Sequence, residues 1–221
     1  MARVLCVAPH PDDETLGCGA TLLRHKAEGD EIHWLLVTEA GPPRFSADFP
    51  ARRRREVAEV ADLYGFASTT WLSLPAAEMD RLPESDVIES FRPAIAGVAP
   101  DVVYLPHRGD AHSDHRITHD CAMAAMKPFR TGKRIRRILA YETLSETEQA
   151  AFGHDAFRPD VFVDVGDWLE RKIGIMAVYA GEMQPPPLPR EPSAVRALAR
   201  LRGATVACAY AEAFMLLREV R

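Results

Sequence analysis

Six apolar runs, at residues 3–8, 31–37, 69–74, 102–105, 135–141 and 161–165, alternate along this chain with longer stretches of helical periodicity. That βαβα rhythm restricts the fold to the α/β class: a mostly parallel sheet covered on both faces by helices, a Rossmann-like three-layer sandwich. The first run, Arg3–Ala8, has no polar residue after Arg3, as a strand buried on both faces requires. Helical patterns follow from Thr15 to Glu28, at about 51–64, where Val57, Val60, Ala61 and Tyr64 recur at helical spacing, and at 115–127, where Ile117, Cys121, Ala124 and Ala125 do the same. No internal repeat or low-complexity tract interrupts the pattern. One compositional break, Met183 to Arg190 with prolines at 185–187 and 189, reads as a loop before the last helices, either a connector or the rim of a site. Residues 1–221 are read as one domain.

Two of the apolar runs lead into loops crowded with ionisable groups. After Ala8 come His10, Asp12, Asp13 and Glu14; after Leu105 come His107, Asp110, His112, Asp114 and His115. Imidazoles and carboxylates together suit a borderline ion such as zinc, and three protein ligands plus a water is the arrangement of hydrolytic sites. Fe(II) accepts the same donors. Each cluster alone has a plainer reading, with Asp12 or Asp114 capping the helix that follows; the pair is what points to chemistry.

The two segments, His10-Pro11-Asp12-Asp13-Glu14 and His112-Ser113-Asp114-His115, resemble the signatures of the LmbE-like, or PIG-L-like, zinc-dependent N-deacetylases. Weaker echoes occur at Arg53-x-x-Glu56 with Gly65, at 157–165, at Lys172 and at 210–214. The resemblance implies that His10, Asp13 and His115 bind the metal. It further implies that Asp12 is the general base and that His112 is its acid or oxyanion-stabilising counterpart. By analogy with a sheet ordered 3-2-1-4-5, the two loops meet at the C-terminal ends of strands one and four. Asp114 is read as a carboxylate that fixes an imidazole tautomer within the catalytic group. Arg53 matches a family position suited to a substrate contact, and Asp110 is assigned to substrate beside it.

The chain departs from the family pattern in three places. Thr38-Glu39-Ala40-Gly41 stands where a Thr-x-Gly-Glu stretch is usual, so a substrate-contacting carboxylate is absent or displaced. Gly19-Ala20 replaces a glycine pair, and Gly181-Glu182 follows Tyr179 where Ser-Gln is common. His107 and Asp110 either line the pocket or turn the chain. His119 mimics the i, i+4 spacing of helical zinc motifs without their glutamate, and His25, His33 and His154 lie outside the clusters. Three of Arg52 to Arg55 are read as a solvated helix face; Lys172 and Tyr210 read as packing or surface residues.

Bulk properties exclude other classes. A formal charge of −5 offers no field for nucleic acid, and no apolar stretch approaches the roughly 20 residues of a membrane helix. The N-terminus runs straight into the first strand, with no room for a signal peptide, and the four cysteines, Cys6, Cys18, Cys121 and Cys208, are widely spaced thiols; both point to the cytoplasm. The reading is a metal-dependent hydrolase that removes an N-acetyl or other N-acyl group from an amino-sugar substrate, free, nucleotide-linked or lipid-linked. The sugar rests on the resemblance. Self-association is left open. The alternatives are an amidase acting on a thiol conjugate, a non-catalytic metal- or sugar-binding relative, and a two-metal phosphoesterase, for which the loops supply too few bridging carboxylates.

Overall fold

A computed structural model describes residues 1–131, 135–150 and 156–221. Five strands, β1 (Arg3–Ala8), β2 (Glu31–Glu39), β3 (Ser68–Pro75), β4 (Val102–Pro106) and β5 (Arg137–Tyr141), form a parallel sheet in the order β3-β2-β1-β4-β5. Beyond β5 the sheet is extended by β7 (Ala211–Glu219) and β6 (Val161–Asp164), with β7 antiparallel to both of its neighbours. The helices are α1 (Asp13–Ala27), α2 (Phe49–Tyr64), α3 (Glu84–Val98), α4 (Ser113–Ala125), the short α5 (Pro128–Thr131), α6 (Leu169–Met176) and α7 (Pro192–Thr205). The expected class and strand order are both found.

Strand β1 shows why the layers number three. Val4, Cys6 and Ala8 enter one core with residues of α1 and α2, while Leu5 and Val7 enter a second core with residues of α3 and α4. Period-two alternation thus sends apolar side chains to both faces. The connection after β3 jumps to β4 on the other side of β1, which opens a crevice between β1 and β4 at their C-terminal ends.

Two expectations are corrected at the C-terminus. The run at 161–165 belongs to the antiparallel extension rather than to the parallel rhythm, and the segment after the proline-rich loop contains one helix followed by a strand, not only helices. The sequence of β7, AEAFMLLRE, is rich in helix formers. Pairing with β5 and β6 overrides that local preference, as tertiary context routinely does.

Helix α1 is broken at Cys18, whose backbone (φ −141°, ψ 18°) leaves the helical range. The amides of Ala20 and Thr21 donate to the buried Glu212 at 3.1 and 2.7 Å, and Lys172 Nζ donates to Glu212 and to the Leu16 carbonyl, both at 2.7 Å. These groups on β7 and α6 satisfy the polar atoms that the kink exposes. Gly17 lies on the same stretch: a Cβ there would stand 2.1 Å from the Tyr141 ring, which is itself anchored by its hydroxyl to the Val7 carbonyl. Overpacking of this kind costs about 1–3 kcal/mol. Gly17→Ala should therefore lower the unfolding free energy by that amount, read as a lower urea midpoint at an unchanged slope; an unaltered midpoint would show that Tyr141 yields without cost.

Candidate metal centre and active site

The loop after β1 and the loop after β4 meet in the crevice. His10 Nδ1 lies 3.3 Å from Asp13 Oδ2, and His115 Nε2 lies 3.3 Å from the same oxygen. Two bonds of about 2.0–2.1 Å meeting at a tetrahedral angle separate their donor atoms by about 3.3–3.4 Å, so these spacings fit one zinc-sized ion. The far nitrogen of each imidazole is held by a carboxylate: His10 Nε2 by Asp114 Oδ2 at 3.0 Å, His115 Nδ1 by Asp110 Oδ2 at 2.8 Å. Those bonds fix which nitrogen turns toward Asp13. Asp13 Oδ2 also accepts from the His10 amide at 2.9 Å, while Asp13 Oδ1 is buried without a hydrogen-bond partner, an oxygen that a cation would satisfy.

A second group of close donors, His10, His112 and Asp114, shares His10. His112 Nδ1 already accepts from the Asp114 amide at 3.1 Å, and Asp114 Oδ2 accepts from the Ala77 amide at 2.7 Å.

Electrostatics follow from burial. Asp13, Asp110 and Asp114 surround two imidazoles. Burial alone would lower His10, but its hydrogen bonds to Asp114 and Asp13 raise it to about 9; His115 is likewise raised against burial by Asp13 and Asp110. Burial would raise Asp13, yet His115 and His10 hold it well below the usual carboxylate range. The cluster therefore favours positive charge, supplied either by protons or by a cation that displaces them. Glu14, whose carboxyl burial pushes up to about 7, holds the Asp12 amide at 3.1 Å and is braced by Thr15 and by Tyr179.

Asp12 has φ 133°, a left-handed conformation rare outside glycine, and its side chain does not cap α1. The carboxylate instead lines a cavity of about 230 Å³ together with His10, His112, Arg53, Thr38, Glu39, Glu146, Glu182, Arg190 and an apolar wall that includes Phe45, Phe49 and Trp71. Ala77 and Ser145, which touch the site through Asp114 and Arg190, also have positive φ. Three of the six non-glycine residues with positive φ among the described residues thus lie at the site or touch it.

His10, Asp12, Asp13, His112 and His115 come together. Asp114 is in place against His10, and the cap of α4 is His112 rather than Asp114. Asp110 does not line the cavity: its side chain is fully buried between His115 and Thr147 Oγ1 (2.6 Å), because the turn after His107 folds it beneath α4. This corrects its assignment to substrate. Arg53 is buried in the cavity wall, paired with Glu182 and Glu56, while Arg52, Arg54 and Arg55 are exposed. Glu39, in the departed Thr-x-Gly-Glu stretch, does line the cavity and pairs with Arg54.

His119 Nδ1 donates to the Pro106 carbonyl at 2.9 Å, and His107 meets Phe157 edge-on. His25 bridges Asp30 and Tyr104, His33 bonds Ser68, and His154 lies outside the described residues. The sequence reading missed Arg190, Glu146 and Glu182 as cavity residues; the break at 183–190 was the available signal for Arg190.

Residues 5–126 match the GlcNAc-PI de-N-acetylase (PIG-L) family, more than half of the chain, and the chain belongs to that family. The diacetylchitobiose deacetylase of Thermococcus kodakarensis is 26% identical, over 81% of this chain and 70% of the relative. The 2'-N-acetylparomamine deacetylase of Streptomyces fradiae is 28% identical, over 81% of this chain and 73% of the relative. Among solved structures, the conserved protein TT1542 of Thermus thermophilus superposes with a TM-score of 0.78 at 28% identity, covering 100% of this chain and 97% of that one. The 4-carboxy-2-hydroxymuconate hydratase of Pseudomonas putida shares the fold alone, with a TM-score of 0.80 at 19% identity, covering 100% of this chain and 98% of that one.

Partners that orient metal-binding imidazoles typically contribute about 10–100-fold in metal affinity. Asp110→Asn should weaken zinc binding by that factor in competition with a chelating dye while leaving one site per chain. Affinity equal to the parent protein's would place Asp110 outside the centre.

Proposed function

We propose that this protein is a metal-dependent N-deacetylase of amino-sugar substrates, with His10, Asp13 and His115 holding one divalent cation, zinc or Fe(II). The observation that carries the reading is the division between adjacent carboxylates. Asp13 faces the two imidazoles, while Asp12, held in a strained backbone, turns into the cavity. A protein that only stored a metal has no need of the second group. A bound cation would lower the pKa of coordinated water to about 7 and polarise the amide carbonyl.

Asp12 then accepts the proton that water releases as its oxygen bonds to the carbonyl carbon. His112 faces the cavity with Nδ1 committed to the Asp114 amide, so its proton resides on Nε2. Burial and the neighbouring His10 lower this imidazole to about 4. Of the two roles expected for His112, acid or oxyanion-stabilising group, the free Nε2 facing the cavity supports the second: a neutral Nε2–H donates a hydrogen bond to the oxyanion. Asp12 passes the proton it holds to the departing nitrogen as the C–N bond breaks, which leaves a carboxylic acid and a free amine.

Support for the sugar comes from the names of the relatives and from the cavity. Its volume of about 230 Å³ lies just below the roughly 300–1,000 Å³ of ordinary small-molecule sites, which suits one ring and its acyl arm. Phe49 and Trp71 offer apolar faces, and Arg53 offers a guanidinium to hydroxyls or an anionic substituent. Among the described residues no helix is long and apolar enough to cross a membrane. The free thiols, with Cys6 and Cys18 sulfurs sharing a hydrogen bond at 3.5 Å rather than a disulfide, fit a reducing compartment, and we assign the protein to the cytoplasm.

The test is a panel of N-acetylated amino sugars offered to the metal-loaded protein, with acetate and free amine both measured. At least one member should be deacetylated, and Asp12→Asn should lower kcat about 10²–10⁴-fold at unchanged metal content. Arg53→Ala should act through kcat/KM without altering bound metal. Full activity of Asp12→Asn, or loss of its metal, would refute the assignment of base and ligand.

A further inference from the structure

The segment between Tyr179 and α7 carries into the cavity a residue that no motif announces. Pro185, Pro186, Pro187 and Pro189 have no amide hydrogens and leave the segment few backbone donors to satisfy. It ends at Glu191, whose carboxylate caps α7 by accepting from the amides of Ser193 and Ala194 at 2.7 and 2.8 Å. Arg190 is thus rooted one residue before a helix cap. Its guanidinium lies in the cavity wall, with Nη1 donating to Asp12 Oδ2 at 2.7 Å and to Glu182 Oε2 at 3.2 Å. Nε donates to Ser145 Oγ at 2.8 Å, and Glu146 Oε1 stands 3.5 Å from Nη2.

We propose that Arg190 is the positioning residue for Asp12: it holds Oδ2 so that Oδ1 is the oxygen presented to the attacking water. The inference rests on the hydrolytic reading of Asp12 given above. The carboxylate takes this bond from Arg190 and none from α1, whose amides would otherwise draw it into a cap. Its backbone is already in a costly conformation, which persists only where the surroundings over-determine it. Arg190 supplies that restraint from a planar fork fixed on several sides by Ser145, Glu182 and Glu146. A lysine would offer a point charge on a flexible stem and would restore the restraint only in part.

The mechanism requires an oriented base, and a misplacement of about 1 Å can cost about 10²-fold in rate. Arg190→Ala should therefore lower kcat by about 10–100-fold, with KM within about threefold of the parent and metal content unchanged. Arg190→Lys should lose less. Guanidinium ion at millimolar concentration should restore part of the rate to Arg190→Ala and none to Asp12→Asn. In the Asp12→Asn background, removing Arg190 should cost no further rate, since the two act as one unit. Where the parent deacetylates a member of the panel, an unchanged kcat in Arg190→Ala, a loss confined to KM, or additive losses in the double variant would overturn the proposal and leave the deacetylase reading standing. A parent that binds metal and hydrolyses nothing in the panel would overturn both. If the alanine variant fails to fold, Arg190→Lys decides: a lower kcat at constant KM and metal content supports the proposal, and a parental kcat defeats it.

Discussion

The burial of Asp13 is the constraint around which the C-terminal edge of the sheet is arranged. A carboxylate only 1% exposed costs several kcal/mol unless its charge is matched, and here it is matched by two imidazoles at equal distance. Those imidazoles are themselves buried or half-buried and are each tied back by another carboxylate. Asp114 and Asp110 are in turn held by the Ala77 amide and the Thr147 hydroxyl. The chain of partners spans the β1, β3, β4 and β5 loops, so the site and the closure of the sheet are one structure. Five ionisable groups satisfy one another only with positive charge at the centre, which is what a divalent cation provides.

The fold makes this tolerable at a single place. Strands β1 and β4 lie side by side although about a hundred residues separate them, and the crossover between them leaves no helix over their C-terminal ends. The helices that start there present Asp13 and Glu14 in the first turn of α1 and Asp114 in that of α4, where the amide dipoles favour negative charge. The break in α1 at Cys18 frees its first turn from the rest of the helix. Glu212 and Lys172, from elements late in the chain, satisfy the break. Residues that resemble packing or surface groups in the sequence are thus supports of the metal loop.

Much of the candidate centre was legible because its proposed ligands sit in two short contiguous loops. His10, Asp12 and Asp13, then His112 and His115, need only the apolar runs before them to be placed. The supporting carboxylates divided: Asp114, next to His115, was legible as a group that fixes an imidazole, whereas Asp110 reads as a substrate contact until the fold of the intervening turn sets it against His115. The cavity wall was least legible. Glu146, Glu182 and Arg190 are single charged residues in irregular segments, brought together by tertiary packing alone. Strand β7 was hidden for a different reason, since its alanines, leucines and glutamates favour a helix until β5 offers an edge to pair with.

The proposed centre is one ion held by two imidazoles and one carboxylate. X-ray absorption at the zinc edge of the metal-loaded protein tests it most directly. Such a centre would show one zinc per chain, with a shell of nitrogen and oxygen only at about 2.0–2.1 Å and outer scattering from two imidazole rings. A sulfur contribution near about 2.3 Å, which would bring Cys18 into the shell, or a second zinc per chain would contradict it.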